Sequence, residues 1–260
     1  MKPLILNYSD KKIVTENSSW FKHWFDSSFY HQLYANRNEK EAAVFINELI
    51  AELQPSPGSV MLDLGCGNGR HSKQLAEKGF NVTGIDLAVS SISMAKKAEN
   101  SSLHFYRHDM GKPFGDNQFH YVFNFFTSFG YFNDDNENHQ VVSNISRSLK
   151  KGGILMMDYL NVQYAEDRLV NTEEKEIDGI LYHINRLTDE MYFHKKITID
   201  TGSAENQLEY TERVAKFSLA DFYFMLGQHG LFIETVYGDY SLNSYDRNNS
   251  PRLIMIARKQ

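Results

Sequence analysis

Several things are scarce in this sequence, and each shortage excludes something. Cys66 is the one cysteine, so no internal disulfide can form. Only five prolines and 16 glycines are spread over 260 residues, which rules out collagen-like and proline-rich tracts. A membrane-spanning helix needs about 20 apolar residues in a row. Apolar runs here are short, such as Val122-Phe123, Phe125-Phe126 and residues 154–157. The opening stretch has Lys2 but no apolar core, so no signal peptide is expected and a cytoplasmic location is. Basic runs are missing as well, and the net charge is −6, which argues against a nucleic-acid partner. What remains is the balance of an ordinary folded protein, 42% hydrophobic and 23% charged. The surplus is aromatic: 18 Phe, 15 Tyr and 2 Trp.

Periodicity divides the chain. An aromatic stretch, Trp20-Phe21-Lys22-His23-Trp24-Phe25, opens a helical region that Ser18 or Ser19 would cap, and Tyr30, Leu33 and Tyr34 continue its spacing. Ala42, Phe45, Ile46, Leu49, Ile50 and Leu53 form one helical stripe, ended by Pro55-Ser56-Pro57-Gly58. From residue 60 to 157, short apolar strands alternate with helices, the pattern of a parallel sheet wound on both faces. Residues 161–217 lose that rhythm. Runs at 180–187, 191–199 and 208–217 suit antiparallel strands instead. A helix from Ser218 and two closing strands, near 232–237 and 253–257, end the chain.

The sharpest signal is Val60-Met61-Leu62-Asp63-Leu64-Gly65-Cys66-Gly67-Asn68-Gly69-Arg70. A strand runs through three alternate glycines into a helix. Glycine permits positive φ and lets a ligand approach the backbone, and the helix start offers unpaired N–H groups. A dinucleotide fingerprint would read G-x-G-x-x-G, and here Arg70 stands where its third glycine belongs. Asp63 would also sit badly beside a pyrophosphate. The second strand ends in Asp86, 21 residues after Gly65, where a carboxylate can accept ribose hydroxyls. Cys66 has no base beside it in sequence, and its small size explains its place in the loop.

Asp63-Leu64-Gly65-Cys66-Gly67-Asn68-Gly69 resembles motif I of the class I S-adenosylmethionine-dependent methyltransferases. The likeness runs from about residue 60 to 158 and over the last two strands. Asp86, followed by Leu87, matches the ribose-binding acid. His108-Asp109-Met110 matches the segment that contacts the adenine. Residues 119–124, ending in Asn124, match the fourth strand, which faces the transferred methyl, and Leu149-Lys150-Lys151-Gly152-Gly153 matches the turn before the fifth. His120 departs from the family's usual Asp and should touch only the strand's entry. The resemblance implies a Rossmann-like seven-stranded, mostly parallel sheet with helices on both faces and the last strand antiparallel. It also implies S-adenosylmethionine as methyl donor, S-adenosylhomocysteine as product, and no metal.

Methyl transfer from a sulfonium asks the protein to position donor and acceptor and to exclude water. Aromatic faces favour the cation. Tyr30, Tyr34 and Arg37 share one helical face, so the tyrosines are expected to line the donor pocket and Arg37 to reach the methionine carboxylate. Thr127, Ser128 and Tyr131 leave the fourth strand, and Asp158, Tyr159 and Asn161 the fifth, at the sheet edge where wound folds bind ligands; these are the expected acceptor contacts. His108, Tyr131 and Tyr159 are the candidate catalytic residues, His108 as a general base. Ten scattered histidines show no ligand spacing, so no metal is expected. The sequence therefore reads as three parts: residues 1–56 a helical lid, 57–160 with 218–260 the cofactor-binding core, and 161–217 a β-rich insertion over the acceptor. The acceptor is expected to be a small molecule and the protein a monomer or homodimer. A nicotinamide-dependent oxidoreductase and a non-catalytic adenosyl-binding protein are the alternatives.

Overall fold

The computed structural model describes residues 20–35, 39–132, 134–201 and 207–260. Two short helices, α1 (Trp20–Trp24) and α2 (Ser28–Leu33), precede α3 (Glu39–Leu53). A wound series follows: β1 (Val60–Leu64), α4 (Arg70–Glu77), β2 (Asn81–Asp86), α5 (Val89–Ala95), β3 (Leu103–Arg107), β4 (Phe119–Asn124), α6 (Asp135–Ser148) and β5 (Leu149–Leu160). Next come α7 (Val162–Asp167), β6 (Thr172–Ile177), β7 (Ile180–Thr188), β8 (Tyr192–Asp200) and β9 (Leu208–Ala215). The chain closes with α8 (Leu219–Gln228), β10 (Leu231–Tyr237) and β11 (Arg252–Lys259).

The central sheet has the order β10-β11-β5-β4-β1-β2-β3. Its wound strands pair in parallel, and β11 runs antiparallel between β5 and β10. This is the expected class I arrangement. The short strands carry apolar residues on both sides because helices cover both faces. On one face α6 and α8 pack Val141, Val142, Ile145, Phe222 and Leu226 against the sheet. On the other, α3, α4 and α5 bring Phe45, Ile46, Leu49, Leu75 and Ile92. Each such large side chain contributes roughly 1.5–3 kcal/mol on burial. The stripe read along α3 is the face that is buried. The Lys150–Gly153 turn proves to be an excursion within β5: Leu149 pairs with Phe119, and pairing resumes at Ile154 with Tyr121.

The insertion is a four-stranded antiparallel sheet, β6-β7-β8-β9. It has one strand more than its apolar runs suggest. β6 (sequence TEEKEI) is an edge strand, paired with β7, and its charges are exposed or paired: Glu173 accepts from Arg186 and Glu174 lies 2.9 Å from His183. Helices α1 and α2 have five and six residues, too few to persist alone. They are held by packing. Trp24 and Leu33 share one apolar cluster with Tyr182, Ile184, Ile197 and Ile199 of the insertion. The N-terminal helices and the insertion thus make a single packed unit beside the wound sheet.

Candidate active site

The chain order reverses between β1 and β4, and a crevice opens beyond the carboxyl ends of those strands. It holds a cavity of about 640 Å³. The glycine loop forms one wall. Gly65, Gly67 and Gly69 have φ of 79°, 54° and 81°, which L side chains adopt at a cost. A Cβ on Gly65 would lie 2.8 Å from that of Ser128, and one on Gly69 would lie 2.5 Å from the Phe105 ring. A Cβ on Gly67 would meet nothing within 4 Å. Two of these glycines are therefore required by packing, and the middle one leaves the backbone open to the cavity.

Asp86 shapes the loop from the next strand. Its Oδ2 accepts from Gly67 N at 2.8 Å and its Oδ1 from Ala88 N at 2.8 Å. A carboxylate has about four acceptor sites, so some stay open on the cavity side. Burial pushes its pKa up, and the N–H groups of Ala88, Gly67 and Leu87 and the charge of His31 hold it back. His31 lines the same end, with Nε2 3.1 Å from Ser90 Oγ. Asp109 Oδ1 accepts from Gly111 N at 3.0 Å, and Asn144 Nδ2 donates to the Met110 carbonyl at 3.1 Å, which fixes the segment expected to face an adenine.

The loop after β4 makes the floor. Phe126 and Thr127 both have left-handed backbone, φ 60° and 58°. Two such residues in succession, one of them β-branched, cost of order 1–3 kcal/mol each. Asp158 holds them there. Its Oδ2 accepts from Phe126 N at 2.8 Å, and its carbonyl accepts from Thr127 N at 2.9 Å. The same carboxylate takes Arg252 Nε at 2.7 Å and the Tyr240 hydroxyl at 3.1 Å. Arg252 sits against Phe126, and Arg70 lies 5.2 Å from the same ring. Both arginines line the cavity.

The roof comes from the N-terminal helices and the insertion. Phe25 meets Tyr131 at 5.2 Å and Tyr30 at 5.1 Å, ring centre to ring centre. From β9, Glu212 and Val214 reach the cavity. Glu212 Oε1 accepts from Trp24 Nε1 at 2.6 Å and from the Tyr34 hydroxyl at 2.7 Å, while Lys195 lies 3.5 Å from Oε2.

Of the residues singled out in the sequence, Tyr30, Tyr34, Gly65, Cys66, Gly67, Asn68, Asp86, Leu87, His108, Asp109, Met110, Thr127, Ser128 and Tyr131 converge on this cavity. Arg37 lies outside the described residues. Six others stand behind the wall, each for a physical reason. Asp63 is fully buried and accepts from Ser72 Oγ at 2.5 Å. Gly69 is the N-cap of α4, packed on Phe105. Asn124 bridges β4 to the Leu64 carbonyl at 2.8 Å. Asp158 supports the floor from beneath. Tyr159 and Asn161, expected as acceptor contacts, are corrected to structural roles. Tyr159 is buried against Phe217 and Phe222 and donates to the Ala215 carbonyl at 2.6 Å. Asn161 donates to the carbonyls of Arg247 and Ser250, both at 2.8 Å. Burial lifts the Cys66 thiol well above its usual pKa, which keeps it protonated and disfavours a nucleophilic role.

Sequence reasoning missed Arg252, Glu212, His31 and Phe126. One signal was available for Arg252. An antiparallel last strand must begin at the edge where its parallel neighbours end, so its first residue falls at the ligand edge.

The site fits S-adenosylmethionine. An acid with open acceptor sites closes β2, a side-chain-free backbone faces the cavity at Gly67, and aromatic rings lie across from it. Among the described residues no group of three or more His, Cys, Asp or Glu could hold a metal. The family described as a methyltransferase domain matches residues 55–216. The methyltransferase YqeM of Bacillus subtilis is 30% identical over 79% of this chain and 85% of its own. A solved S-adenosylmethionine-dependent methyltransferase from Clostridium acetobutylicum shares the fold, with a TM-score of 0.73 at 19% identity over 92% of this chain and 97% of that one. So does a sugar N-methyltransferase from Streptoalloteichus, with a TM-score of 0.68 at 16% identity over 100% and 99%. The chain belongs to the methyltransferase-domain family and is a class I S-adenosylmethionine-dependent methyltransferase.

Proposed function

We propose that the acceptor is a small molecule bound in the outer half of this cavity, under the insertion. The observation that carries the reading is the continuity of one chamber from Asp86 to Glu212, roofed by aromatic residues. Its volume falls within the roughly 300–1,000 Å³ of small-ligand sites. A polymer chain would need an open groove instead. The sugar specificity of the Streptoalloteichus neighbour supports the same class. The donor supplies an activated methyl group with a good leaving group. Asp86 holds the ribose hydroxyls, and Asp109 and Met110 hold the adenine. Gly65 and Gly67 bring backbone against the amino-acid tail, and Phe25 and Tyr30 offer ring faces to the cation.

In this reading α1, α2 and the β6–β9 sheet are a lid that excludes water, while α3, expected as part of that lid, belongs to the wound core; Ser128, Tyr131 and Val214 orient the acceptor. Proton removal from an amine or hydroxyl acceptor falls to Glu212 Oε2, the carboxylate oxygen at the roof end of the cavity, which must share its charge with Lys195 at 3.5 Å. The Tyr131 hydroxyl donates to the Thr127 carbonyl. His108 stands beside Asp109 at the adenine end, and Tyr159 is behind the wall. A cavity that reaches past the donor's expected place to Glu212 also argues for an enzyme over a non-catalytic binder. Incubation with methyl-labelled donor and a fractionated cell extract tests the reading. Label is expected in the low-molecular-weight fraction; label confined to protein or nucleic acid refutes it.

A further inference from the structure

Arg252 opens β11 at the ligand edge of the sheet, and its guanidinium is held on several sides. Nε donates to Asp158 Oδ1 at 2.7 Å and Nη2 to Thr127 Oγ1 at 2.9 Å. The Phe126 and Tyr240 rings lie 5.5 and 5.8 Å from its centre. These contacts fix the plane of the group and occupy Nε and Nη2. Nη1 has no acceptor among the described residues. Thr127 presents the matching feature. Its hydroxyl oxygen takes the Nη2 proton, so its own hydrogen must point elsewhere, and no acceptor for it exists among the described residues.

Both residues line the cavity, and the Arg252 side chain is only 16% exposed. Two donors therefore stand side by side on a largely apolar wall. Arg70, across the Phe126 ring, is paired with Glu41 at 3.5 Å, so recognition on this wall rests on the two donors. The left-handed backbone at Phe126 and Thr127, anchored by Asp158, is what delivers the hydroxyl to the guanidinium. A planar group with two oxygens satisfies such a pair; a lone hydroxyl or a cation does not.

We propose that Arg252 Nη1 and the Thr127 hydroxyl form a carboxylate-binding subsite of the methyl-transfer cavity. The carboxylate comes either from the amino-acid tail of the donor or from the acceptor. The inference rests on the function proposed above, and binding of S-adenosylhomocysteine to the wild-type chain checks that function separately.

The test uses calorimetry and ligand-observed NMR on the full chain with four probes. S-adenosylhomocysteine carries the tail carboxylate and methylthioadenosine lacks it. Benzoate and benzamide, added to protein saturated with S-adenosylhomocysteine, report a carboxylate on the acceptor side. The variant is Asp158→Asn combined with Arg252→Gln, which removes both charges of the pair together. Thr127→Val leaves that pair intact and serves if the double variant does not fold. A donor carboxylate predicts at least tenfold weaker S-adenosylhomocysteine binding in the double variant, a few-fold in Thr127→Val, and unchanged methylthioadenosine. An acceptor carboxylate predicts selective loss of benzoate over benzamide, with S-adenosylhomocysteine unchanged. Parallel loss of both adenosyl probes, or no change in any probe in a folded variant, overturns the proposal.

Discussion

Asp63 and Asp86 lie on neighbouring strands, yet their surroundings give them opposite work. Asp86 has backbone donors on both oxygens and faces the cavity. Replacing it with Asn keeps the shape but removes the charge that two N–H groups and a ribose would share. Hydrogen bonds to charged groups contribute about 1.5–3 kcal/mol. Asp86→Asn should thus weaken S-adenosylhomocysteine roughly 10–100-fold, read by calorimetry; an unchanged affinity removes Asp86 from the site. Asp63 has one partner, Ser72, while its Oδ1 has none among the described residues. Burial pushes its pKa up to about 7 from 3.8, with Asp86 adding to the rise and Ser72 and Arg70 opposing it. Between those values the folded chain keeps a proton that the unfolded chain has lost. Stability must therefore fall as pH rises from about 4 to 7 and level off above. Asp63→Asn abolishes this contribution. Urea midpoints at pH 5 and pH 8 should differ less in the variant than in the wild type by the share that Asp63 supplies.

At the scale of elements, the three loop glycines should separate folding from binding. Gly69→Ala puts a Cβ 2.5 Å from the Phe105 ring, so α4 or Phe105 must shift, and destabilisation of a few kcal/mol is expected. Gly67→Ala meets no atom within 4 Å and costs only its left-handed backbone, about 1–2 kcal/mol. It should melt within a few degrees of wild type yet lose most of its cofactor affinity, because the methyl would project toward the cavity. Equal losses of affinity in the two variants at equal stability would contradict this division. The loop, β1, β2 and the wound order were legible because local rules govern them: apolar strands, glycines at a turn, an acid at a strand end. The rest of the site was not local. Thr127 draws its meaning from Arg252, 125 residues away, and Glu212 from Trp24, 188 residues away. Tyr159 and Asn161 were misassigned because sequence placed them at the right edge without saying which way each side chain turns. β6 was missed because an edge strand can carry charges and still complete its pairing.

The largest consequence of those distant pairings concerns the whole molecule. The sequence reads as two separate additions to a wound core, one before it and one inside it. In the structure they share a cluster and a polar link, both centred on Trp24. Its ring is fully buried beside Tyr30 and Tyr210, and its Nε1 donates to Glu212. The wound sheet has its own two clusters, neither of which includes Trp24. Trp24→Ala should therefore cost about 3–5 kcal/mol locally while the wound core keeps its packing. Helices α1 and α2, too short to stand alone, would leave the cavity, and Glu212 would lose a charge-assisted donor. Hydrogen exchange provides the readout. Amides of residues 20–35 and of β7 to β9 should exchange faster by several orders of magnitude, while those of β1, β4 and β5 stay protected. Methyl transfer should fall much further than the affinity for methylthioadenosine, because the ribose and adenine contacts lie on the wound core and the roof lies on the lid. If β1 and β4 lose protection together with β9, the lid and core form one cooperative unit. The roof could not then open independently to admit an acceptor.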